Sequence, residues 1–463
     1  MVEPSNRISI ARISPLELPS LLRRGDVRIS VIGLGRIGLP TATLFGKAGA
    51  KVIGIDVKKS TVENINAGIC NLVDEPGLQE LLNDVVKSGN LSAVSDPTDA
   101  FSSAHFIIVC VPTPIDDTKS PNYSAILECA ESIGSALSRG STVIVESTVG
   151  PGTVEEIVLP ILENRSGLKV GKDFGLASCP ERSDPGKIVE DMKTIPRIVG
   201  GINKSSTELV ATLYESAFGV KVIKMSDPKT ANAVKLTENL FRDVNIALAN
   251  EFALLYENLG IDTIEVINAC ASKYNFMPHY PGAGVGGPCL ASNSYYLISE
   301  GVKVGTIPYL IRMAREINDR MPNHVVELVG EALNGVGKAI KGSRTAILGV
   351  AYKPNVRDVQ STPVEKVIVK LKEMGAEIKV YDPLFKGSAI FGMDVTKSIE
   401  DAIKGADCVI IGTAHDEFAD LDLTYLSRLV QHPAALVDAR NVVQPASAAR
   451  AGFSFRGVGR KHD

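Results

Sequence analysis

The segment Val27–Asp56, VRISVIGLGRIGLPTATLFGKAGAKVIGID, decides the fold of the N-terminal half of this chain. It begins with a continuous apolar run that is typical of a buried parallel strand. The run leads into a G-x-G-x-x-G turn, a helical stretch and a second apolar strand that ends in Asp56. This order of elements predicts a βαβ unit that binds a dinucleotide.

Each part of this unit has a physical role in such binding. The glycines permit a tight turn and the close approach of a pyrophosphate to the helix N-terminus, where free N–H groups and the helix dipole face it. Asp56 can accept hydrogen bonds from both ribose hydroxyls and would repel a 2′-phosphate, which favours NAD over NADP. The alternative is a glycine turn that only packs a helix tightly. The predicted NAD contacts in this unit are Gly33, Gly35, Arg36, Ile37, Gly38 and Asp56.

The alternation of strands and helices continues beyond this unit. Apolar strands at 106–111, 142–145 and 175–178 are each followed by a polar turn. Ligands of open parallel sheets bind outside the carboxyl ends of the strands. Thr113 and Thr148 could therefore reach cofactor or substrate, and Glu181 lies at the same edge. Helix caps or turns are the plain alternative for the threonines, and a surface salt bridge is the alternative for Glu181.

A long helix without Gly or Pro is predicted over 229–259. Lys235, Asn239 and Arg242 follow one another at i, i+4 and i+7, so they share one face of it. A lysine and an asparagine aligned on a largely apolar helix suggest a site, although an exposed polar face is the alternative. A helix of this length between two α/β blocks also suits a domain connector and a dimer surface.

A glycine-rich loop precedes a cysteine in Tyr280–Leu297, YPGAGVGGPCLASNSYYL. Glycines at this density let the backbone pass close to a ligand and offer bare N–H groups to an anion. A thiol at the end of such a loop is well placed to be a nucleophile, which makes Cys289 the candidate. The alternative is a glycine-rich turn with a buried cysteine. A further helix is predicted over 307–321.

A second α/β block follows, with strands at 345–350, 377–381, 408–412 and 435–437. It lacks a G-x-G-x-x-G turn, so it does not predict a second NAD site. Its strand ends carry Lys353, His415 and Arg440, which suit a ligand that bears phosphate. The fold class is therefore α/β, with two Rossmann-like parallel-sheet domains joined by a long central helical segment. The expected divisions are an N-terminal extension (1–26), an NAD-binding domain (27–215), a central helical dimerisation domain with the cysteine loop (216–330) and a C-terminal α/β domain for a phosphate-bearing ligand (331–463).

Composition excludes several other classes of protein. The formal net charge is −4, with 49 Lys and Arg against 53 Asp and Glu, so neither nucleic acid nor a membrane surface is an expected partner. No apolar run of 18 residues predicts a membrane span. The seven cysteines are scattered without paired spacing, which argues against disulfides and against zinc. A reduced, cytoplasmic compartment is expected, and no metal site is predicted.

The chain resembles the UDP-glucose/GDP-mannose 6-dehydrogenase family over nearly all of residues 28–460. The resemblance rests on ten segments, which are GLGRIGLP, VPTP, ESTVGPGT, CPER, KLTENLFRDVNIALANE, PGAGVGGPC, AREINDRMPNHVV, GVAYKPN, HDEF and VDARNVV. Two of them, FRDVNIALANE and AREINDRMPNHVV, look most like the branch that acts on N-acetylated sugars, especially UDP-N-acetylmannosamine. The family fold implied is an NAD-binding Rossmann domain, a central helical dimer segment and a UDP-binding domain.

The resemblance also implies roles for individual residues. Cys289 would be the nucleophile, Lys235 and Asn239 would surround the oxygen of a thiohemiacetal, and Glu181 with Thr148 beside it would guide the hydrolytic water. The enzyme would then be a homodimer that oxidises a UDP-sugar at C6 with two NAD. The implied NAD contacts are those of the glycine turn with Asp56, Thr113 and Thr148. The implied substrate contacts are Glu181, Arg182, Lys235, Asn239, Arg242, Tyr280, Gly282, Gly284, Gly286 and Lys353.

The sequence departs from the family pattern close to the nucleophile. The usual aspartate four residues after it is Asn293 here, which cannot act as a base, and Ser292 occupies a usually basic position. Gln360 replaces the usual arginine after the Lys-Pro-Asn segment, and Arg357 stands where an acid is common. Two alternatives therefore accompany the UDP-N-acetylmannosamine prediction. One is a UDP-glucose or UDP-N-acetylglucosamine 6-dehydrogenase, and the other is a paralogue that binds nucleotide sugars without turnover.

Overall fold

The apolar runs of the N-terminal half form one eight-stranded sheet in the computed structural model, which describes residues 12–461. The strand order is β3-β2-β1-β4-β5-β6-β7-β8, and β1 to β6 are all parallel. Only β7 runs antiparallel to its neighbour β6. The strands are β1 Arg28–Ile32, β2 Lys51–Ile55, β3 Leu91–Val94, β4 Phe106–Val109, β5 Thr142–Val145, β6 Gly175–Ser178, β7 Arg197–Gly201 and β8 Val222–Lys224.

Helices cover both faces of this sheet. They are α1 Leu18–Arg24, α2 Gly38–Lys47, α3 Lys59–Asn66, α4 Leu78–Lys87, α5 Thr98–Ser103, α6 Ser124–Ala136, α7 Leu159–Ser166, α8 Ile188–Thr194 and α9 Lys204–Phe218, with a π-helical turn at Val154–Val158. Alternate residues of each strand enter two separate cores, as in β4, where Ile108 joins one core and Ile107 joins the other. Continuous apolar runs form the central strands because both faces of the sheet are buried.

Helix α1 lies within the predicted N-terminal extension, 1–26, for which the sequence predicts no helix. Its Leu18 and Leu22 are fully buried in the core of the first sheet. A helix of 7 residues with a single apolar face is too short to show a clear periodicity in the sequence. Residues 1–11 of the extension lie outside the described residues.

Four further helices follow. They are α10 Pro228–Leu259, α11 Thr263–Cys270, α12 Leu290–Lys303 and α13 Tyr309–Asn334. Helix α13 is longer than predicted, because it continues through Pro322 to Asn334. A proline inside a helix removes one backbone hydrogen bond. Here the helix is stabilised beyond the proline by burial of Val325, Val329 and Leu333 in the core of the second sheet.

The C-terminal block forms a parallel five-stranded sheet in the order β10-β9-β13-β14-β15. Its strands are β9 Arg344–Leu348, β10 Glu377–Tyr381, β13 Cys408–Ile411, β14 Ala434–Asp438 and β15 Phe453–Gly457, and a hairpin pairs β11 Ala389–Ile390 with β12 Met393–Asp394. The helices are α14 Pro363–Glu373, α15 Ile399–Ile403, α16 Leu423–Ser427 and α17 Pro445–Arg450, with a 3₁₀ turn at Asp416–Phe418. The predicted fold class, two parallel-sheet domains with a long helical segment, is confirmed.

The chain divides into two compact units. The first contains the chain up to Glu238 with Tyr295–Thr306, and the second contains Asn239–Ser294 and the chain from Ile307 onward. Helices α10 and α12 run from one unit into the other. A separate central folding domain over 216–330 stays a prediction. No helix in residues 12–461 is both long enough and apolar enough to cross a membrane.

Candidate active site

The predicted site residues fall into two groups, one in each unit. The first unit carries the glycine turn, the polar ends of β4, β5 and β6, and Lys235. The second unit carries Asn239, the cysteine loop and the strand ends of the second sheet. Each group is described by itself.

The three glycines of the turn between β1 and α2 have different surroundings. Gly33 has a φ of +86°, and a Cβ there would lie 2.7 Å from the backbone oxygen of Cys110 on the neighbouring strand. A Cβ on Gly38 would lie 1.8 Å from the oxygen of Gly33. A Cβ on Gly35 would meet nothing within 4 Å. Two glycines are therefore required by the fold, whereas the middle one presents bare backbone to open space, as a pyrophosphate site requires.

The side chains around the turn support a dinucleotide site. The Asp56 carboxylate accepts hydrogen bonds from the backbone N–H of Leu34 at 3.0 Å and of Lys58 at 2.9 Å, so it is fixed beside the turn. Arg36 is engaged elsewhere, because its Nη1 lies 2.9 Å from carboxylate oxygens of both Asp74 and Glu75. The residues of this turn fit NAD, and a contact of Arg36 with NAD stays a prediction.

Replacing Gly35 with alanine is expected to weaken NAD binding without unfolding the protein. The added methyl group would occupy the open space in front of the turn, so the dissociation constant of NAD should rise by about tenfold or more, or about 1.4 kcal/mol. Isothermal titration with NAD and a thermal melt would measure the two effects. Gly38→Ala is the matched contrast, because its methyl group collides with the turn and should lower the melting temperature. NAD binding by Gly35→Ala at the wild-type affinity would contradict this assignment.

The strand ends of the first sheet place the two predicted threonines together. The Thr113 hydroxyl donates to the backbone oxygen of Thr148 at 2.6 Å, and the Tyr296 hydroxyl donates to the backbone oxygen of Thr113. Both threonines are half-buried. The hydroxyl of Thr113 thus joins the segments that follow β4 and β5. This is a structural role, similar to the turn role that was the alternative for this residue.

Glu181 is buried, with 6% of its surface exposed, so the surface salt bridge considered for it is wrong. Its Oε1 accepts from the backbone N–H of Arg182 and of Ser183 and from the Ser183 hydroxyl. Its Oε2 accepts from the guanidinium of Arg197, which also binds Glu146. The sequence analysis missed Arg197, since a lone arginine before an apolar run carries no pattern that predicts its partners.

The guanidinium of Arg182 is paired within the first unit. It donates to the carboxylate of Glu238, with Nε at 3.0 Å, and to the backbone oxygen of Pro196. Its predicted contact with the substrate would therefore require Glu238 to release part of this pairing.

The shared face of α10 is confirmed as a helical face, but its residues have different environments. Lys235 is buried, with 7% of its surface exposed, whereas Arg242 is exposed. Asn239 lies between them and is half-buried. Its Nδ2 is buried and has no hydrogen-bond partner among the described residues. A buried amide donor without a partner is costly unless a ligand completes it, so this helix face favours a site over an exposed polar face.

The cysteine loop is held by close packing inside the second unit. A Cβ on Gly284 would lie 2.7 Å from the Asn318 oxygen, and one on Gly287 would lie 2.6 Å from the Tyr352 ring. A Cβ on Gly286 would lie 2.8 Å from Pro363 Cδ. The glycines are therefore needed because the loop passes against α13 and the segment that leads into α14.

Cys289 is exposed at the end of this packed loop. Its backbone oxygen accepts from the N–H of Asn293 at 2.9 Å, so it directly precedes the first turn of α12. A helix N-terminus favours negative charge and thus the thiolate form of a nearby cysteine. Asn293 is buried, and its Nδ2 is also without a hydrogen-bond partner among residues 12–461. The buried-cysteine alternative for Cys289 is wrong.

A buried polar network supports the loop from behind. Arg315 Nη1 donates to Asp243 Oδ1 at 2.6 Å, and the Ser294 hydroxyl donates to Asp243 Oδ2 at 2.8 Å. Asn318 Nδ2 donates to Asp243 Oδ1 at 2.8 Å and its Oδ1 accepts from Asn250 Nδ2 at 2.9 Å. Asn250 in turn accepts from the backbone N–H of Gly282 in the loop at 2.9 Å. The network thereby joins helices α10, α12 and α13 to one another and to the loop that precedes Cys289.

The strand ends of the second sheet are only partly free for a phosphate. His415 Nδ1 accepts from the backbone N–H of Asn355 at 3.0 Å, and Nε2 lies 3.1 Å from Asp382 Oδ2, so both ring nitrogens are engaged within the second unit and are not available to a phosphate. Arg440 donates to the backbone oxygens of Gly412 and Tyr352, and burial lowers its pKa. Lys353 is half-buried on the loop that follows β9. Tyr280 is exposed, and its hydroxyl donates to Asn268 at 2.9 Å.

Comparison with known proteins gives a consistent family assignment. Three domain models of the UDP-glucose/GDP-mannose dehydrogenase family match the chain, which are the NAD-binding domain over 27–218, the central domain over 229–320 and the UDP-binding domain over 346–445. The UDP-N-acetyl-D-mannosamine dehydrogenase of Pyrococcus horikoshii is 36% identical over 94% of this chain and 99% of its own length. The UDP-N-acetyl-D-glucosamine 6-dehydrogenase of Pseudomonas aeruginosa is 34% identical over 89% of this chain and 96% of its own. The solved structure of the P. horikoshii enzyme superposes with a TM-score of 0.88 at 35% identity, covering 94% of this chain and 100% of that one.

Proposed function

Because the chain belongs to the UDP-glucose/GDP-mannose dehydrogenase family, we propose that it oxidises the C6 alcohol of UDP-N-acetyl-D-mannosamine to the uronate. The observation that carries the proposal is the exposed thiol of Cys289 at a helix N-terminus, in a chain that also has an NAD turn. A single oxidation to an aldehyde needs no nucleophile, whereas oxidation to an acid does. The second oxidation therefore explains why the chain carries a thiol.

The first oxidation requires a group that removes the hydroxyl proton. NAD, when bound at the glycine turn, supplies the hydride acceptor for both oxidations. Lys235, or a water that it polarises, takes the proton from the C6 hydroxyl as the alcohol becomes an aldehyde. Burial of Lys235 supports a role at a ligand, because its side chain is withdrawn from bulk solvent on the helix face that also carries Asn239.

In the second oxidation Cys289 adds to the aldehyde carbon. A C–S bond forms, and the carbonyl oxygen becomes an oxyanion that Lys235 and Asn239 stabilise. The unpartnered Nδ2 of Asn239 supports its part, since it is a buried donor that still lacks an acceptor. After the oxidation the sulfur carries the sugar as a thioester, and the aldehyde never needs to leave.

Hydrolysis of the thioester completes the reaction. A water guided by Glu181, with Thr148 beside it, adds to the acyl carbon, and Cys289 leaves as the thiol. The UDP-sugar is proposed to be held by Arg182, Arg242, Tyr280, Lys353 and the loop glycines Gly282, Gly284 and Gly286. The match of residues 346–445 to a UDP-binding domain model supports a UDP contact in the segment that contains Lys353.

A panel of UDP-sugars tests the function. The purified protein would be mixed with NAD and each of UDP-N-acetylmannosamine, UDP-N-acetylglucosamine and UDP-glucose, and NADH would be counted against sugar consumed. Two NADH per UDP-N-acetylmannosamine, with the highest kcat/KM of the panel, is expected. One NADH per sugar would contradict four-electron oxidation. A higher kcat/KM with another sugar would assign that sugar, and thermal stabilisation by ligands without NADH would indicate a binding paralogue.

A homodimer through α10 is proposed on the exposed apolar residues of that helix. Phe241, Leu248 and Leu255 follow at intervals of seven and are each 45–52% exposed, and Leu259 continues the stripe at 60%. Residues seven apart lie on one face of a helix, and such a continuous apolar face on the surface indicates a partner. A second copy is the occupant that we propose, since the family segment implied for this helix is a dimer segment.

The absence of paired cysteine spacing supports a cytoplasmic location for the protein.

The double variant Leu248→Glu/Leu255→Glu is expected to be monomeric. Charges in the centre of a self-complementary contact meet their own copies across the symmetry axis, which opposes association. Light scattering after size exclusion would give a mass near the 49.2 kDa of one chain, against twice that value for the wild type. Leu127→Glu on α6 is the control, because Leu127 is an isolated leucine with 38% exposure. A dimeric double variant would rule out this face.

A further inference from the structure

A buried cluster of charges in the first unit connects Glu181 with the end of another strand. Arg197, the first residue of β7, donates from Nη1 to Oε2 of Glu181 and from Nη2 to Oε1 of Glu146, the latter at 2.7 Å. All three residues are buried, and Arg197 is 3% exposed. The planar guanidinium thus bridges two carboxylates that follow different strands.

Glu146 is a fixed support for this bridge. Its Oε1 also accepts from the Tyr214 hydroxyl at 2.5 Å, and its Oε2 accepts from the Thr41 hydroxyl at 3.0 Å and from the thiol of Cys110 at 3.2 Å. These donors lie on α9, on α2 and at the end of β4. Together with Arg197 they occupy the roughly four acceptor positions of a carboxylate. Glu146 therefore has no position left for a ligand.

The Arg197 guanidinium also packs against two aromatic rings. Its guanidinium carbon lies 4.8 Å from the centre of the Tyr214 ring and 5.7 Å from that of Phe218. These distances are within the range of cation–π contacts. Packing on the two rings and the hydrogen bond to Glu146 together fix the nitrogen that faces Glu181.

This arrangement leaves one oxygen of Glu181 available. The Oε1 atom accepts from the backbone N–H of Arg182 at 2.6 Å, from that of Ser183 at 2.7 Å, and from the Ser183 hydroxyl. Among the described residues Oε2 accepts from Arg197 alone, so it retains one acceptor position. The direction of that remaining position is set by Arg197.

The pKa values of the two carboxylic acids in the cluster are shifted in opposite directions. Burial opposes ionisation of Glu181, but the Arg197 charge and the hydrogen bonds from Ser183 outweigh it and lower the pKa of Glu181 to about 2. Burial raises the pKa of Glu146 in spite of Arg197. Negative charge is therefore held on Glu181, the carboxylate that has an acceptor position free.

We propose that Arg197, supported by Glu146, is a positioning residue that presents Oε2 of Glu181 to the hydrolytic water. The inference rests on the proposed function, in which that water cleaves the thioester on Cys289. The oxygen of the water bonds to the acyl carbon, and the C–S bond breaks with its electron pair on sulfur. The sulfur takes up one proton, and the other passes to solvent as the acid ionises. Arg197 acts through Glu181, so its effect belongs to hydrolysis and not to the oxidations.

Two variants of the full-length protein test this role. Arg197→Lys keeps a positive charge but cannot bridge two carboxylates, and Glu146→Gln keeps the volume of the support but removes its charge. Each would be mixed rapidly with NAD and UDP-N-acetylmannosamine. The NADH burst is expected at the wild-type rate, followed by a steady-state rate lower by on the order of tenfold to a hundredfold. Intact mass after acid quench should show a larger fraction of acyl-enzyme on Cys289.

Controls separate positioning from structural damage. Arg165→Lys alters an exposed ion pair with Glu131 in the same unit and should change neither phase. Equal slowing of burst and steady state, or an unchanged acyl-enzyme fraction in a folded variant, would overturn the positioning role. If Arg197→Lys does not fold, Glu146→Gln decides the outcome. A wild-type protein that forms one NADH per sugar or no acyl-enzyme would refute the proposed function itself.

Discussion

Replacing Cys289 with serine is expected to stop formation of the uronate. A serine hydroxyl is far less ionised than a thiol at neutral pH, so serine is a much weaker nucleophile at this position. Loss of the nucleophile of a covalent mechanism can lower turnover by roughly six orders of magnitude. The measurement is NADH formed per UDP-N-acetylmannosamine, together with chromatography of the sugar product. No acyl-enzyme should appear in the intact mass.

Cys270 provides the matched control for this substitution. It is also an exposed cysteine of the second unit, and it lies at the end of α11 instead of in the glycine loop. Cys270→Ser should form uronate at the wild-type rate. Full uronate formation by Cys289→Ser would remove the central residue of the proposed chemistry, and the exposed thiol would then need another explanation.

Replacing Arg315 with methionine is expected to lower the free energy of unfolding by about 3–5 kcal/mol. Arg315 is 3% exposed and pairs with Asp243, which is 1% exposed, so the substitution leaves a carboxylate buried without its charge partner. The same network reaches the cysteine loop through Asn318 and Asn250. We therefore expect a lower melting temperature and a weaker NADH burst. Urea unfolding followed by circular dichroism would measure the loss of stability.

A second substitution can test the cause of that loss. Removing both members of a buried ion pair is often less harmful than removing one. Arg315→Met/Asp243→Leu should therefore recover part of the stability that Arg315→Met loses. Arg320→Met on the same helix is the control, because Arg320 is exposed and surface substitutions usually stay within about 0.5 kcal/mol. Equal losses for Arg315→Met and Arg320→Met would show that the buried pair contributes little.

Much of the fold could be predicted from the sequence, because its signals are local. A run such as Thr142–Val145 or Glu377–Tyr381 matches the observed strand residue for residue. The first strand, the glycine turn and Asp56 lie within one βαβ unit, whose geometry depends on residues close in sequence. Short elements with weak patterns, such as α1 and β7, were missed for the same reason.

Only part of the candidate site could be predicted from the sequence. The alignment of Lys235 and Asn239 follows from helical periodicity, and the structure adds that the Asn239 amide is unpartnered. The sequence left open whether Cys289 is buried, and the structure exposes it. His415 was expected to suit a phosphate, but the structure engages it with Asp382.

By itself the amino-acid sequence determined the central strands, the glycine turn and the long helix, since each depends on neighbours within a few residues. Only the tertiary structure decided which distant charges meet. Arg197 pairs with Glu146 and Glu181, which are 51 and 16 residues away in the sequence, and Arg315 pairs with Asp243, which is 72 residues away. Such pairs form because the strand order and helix packing bring remote side chains into one buried volume, where an unpaired charge is too costly to persist.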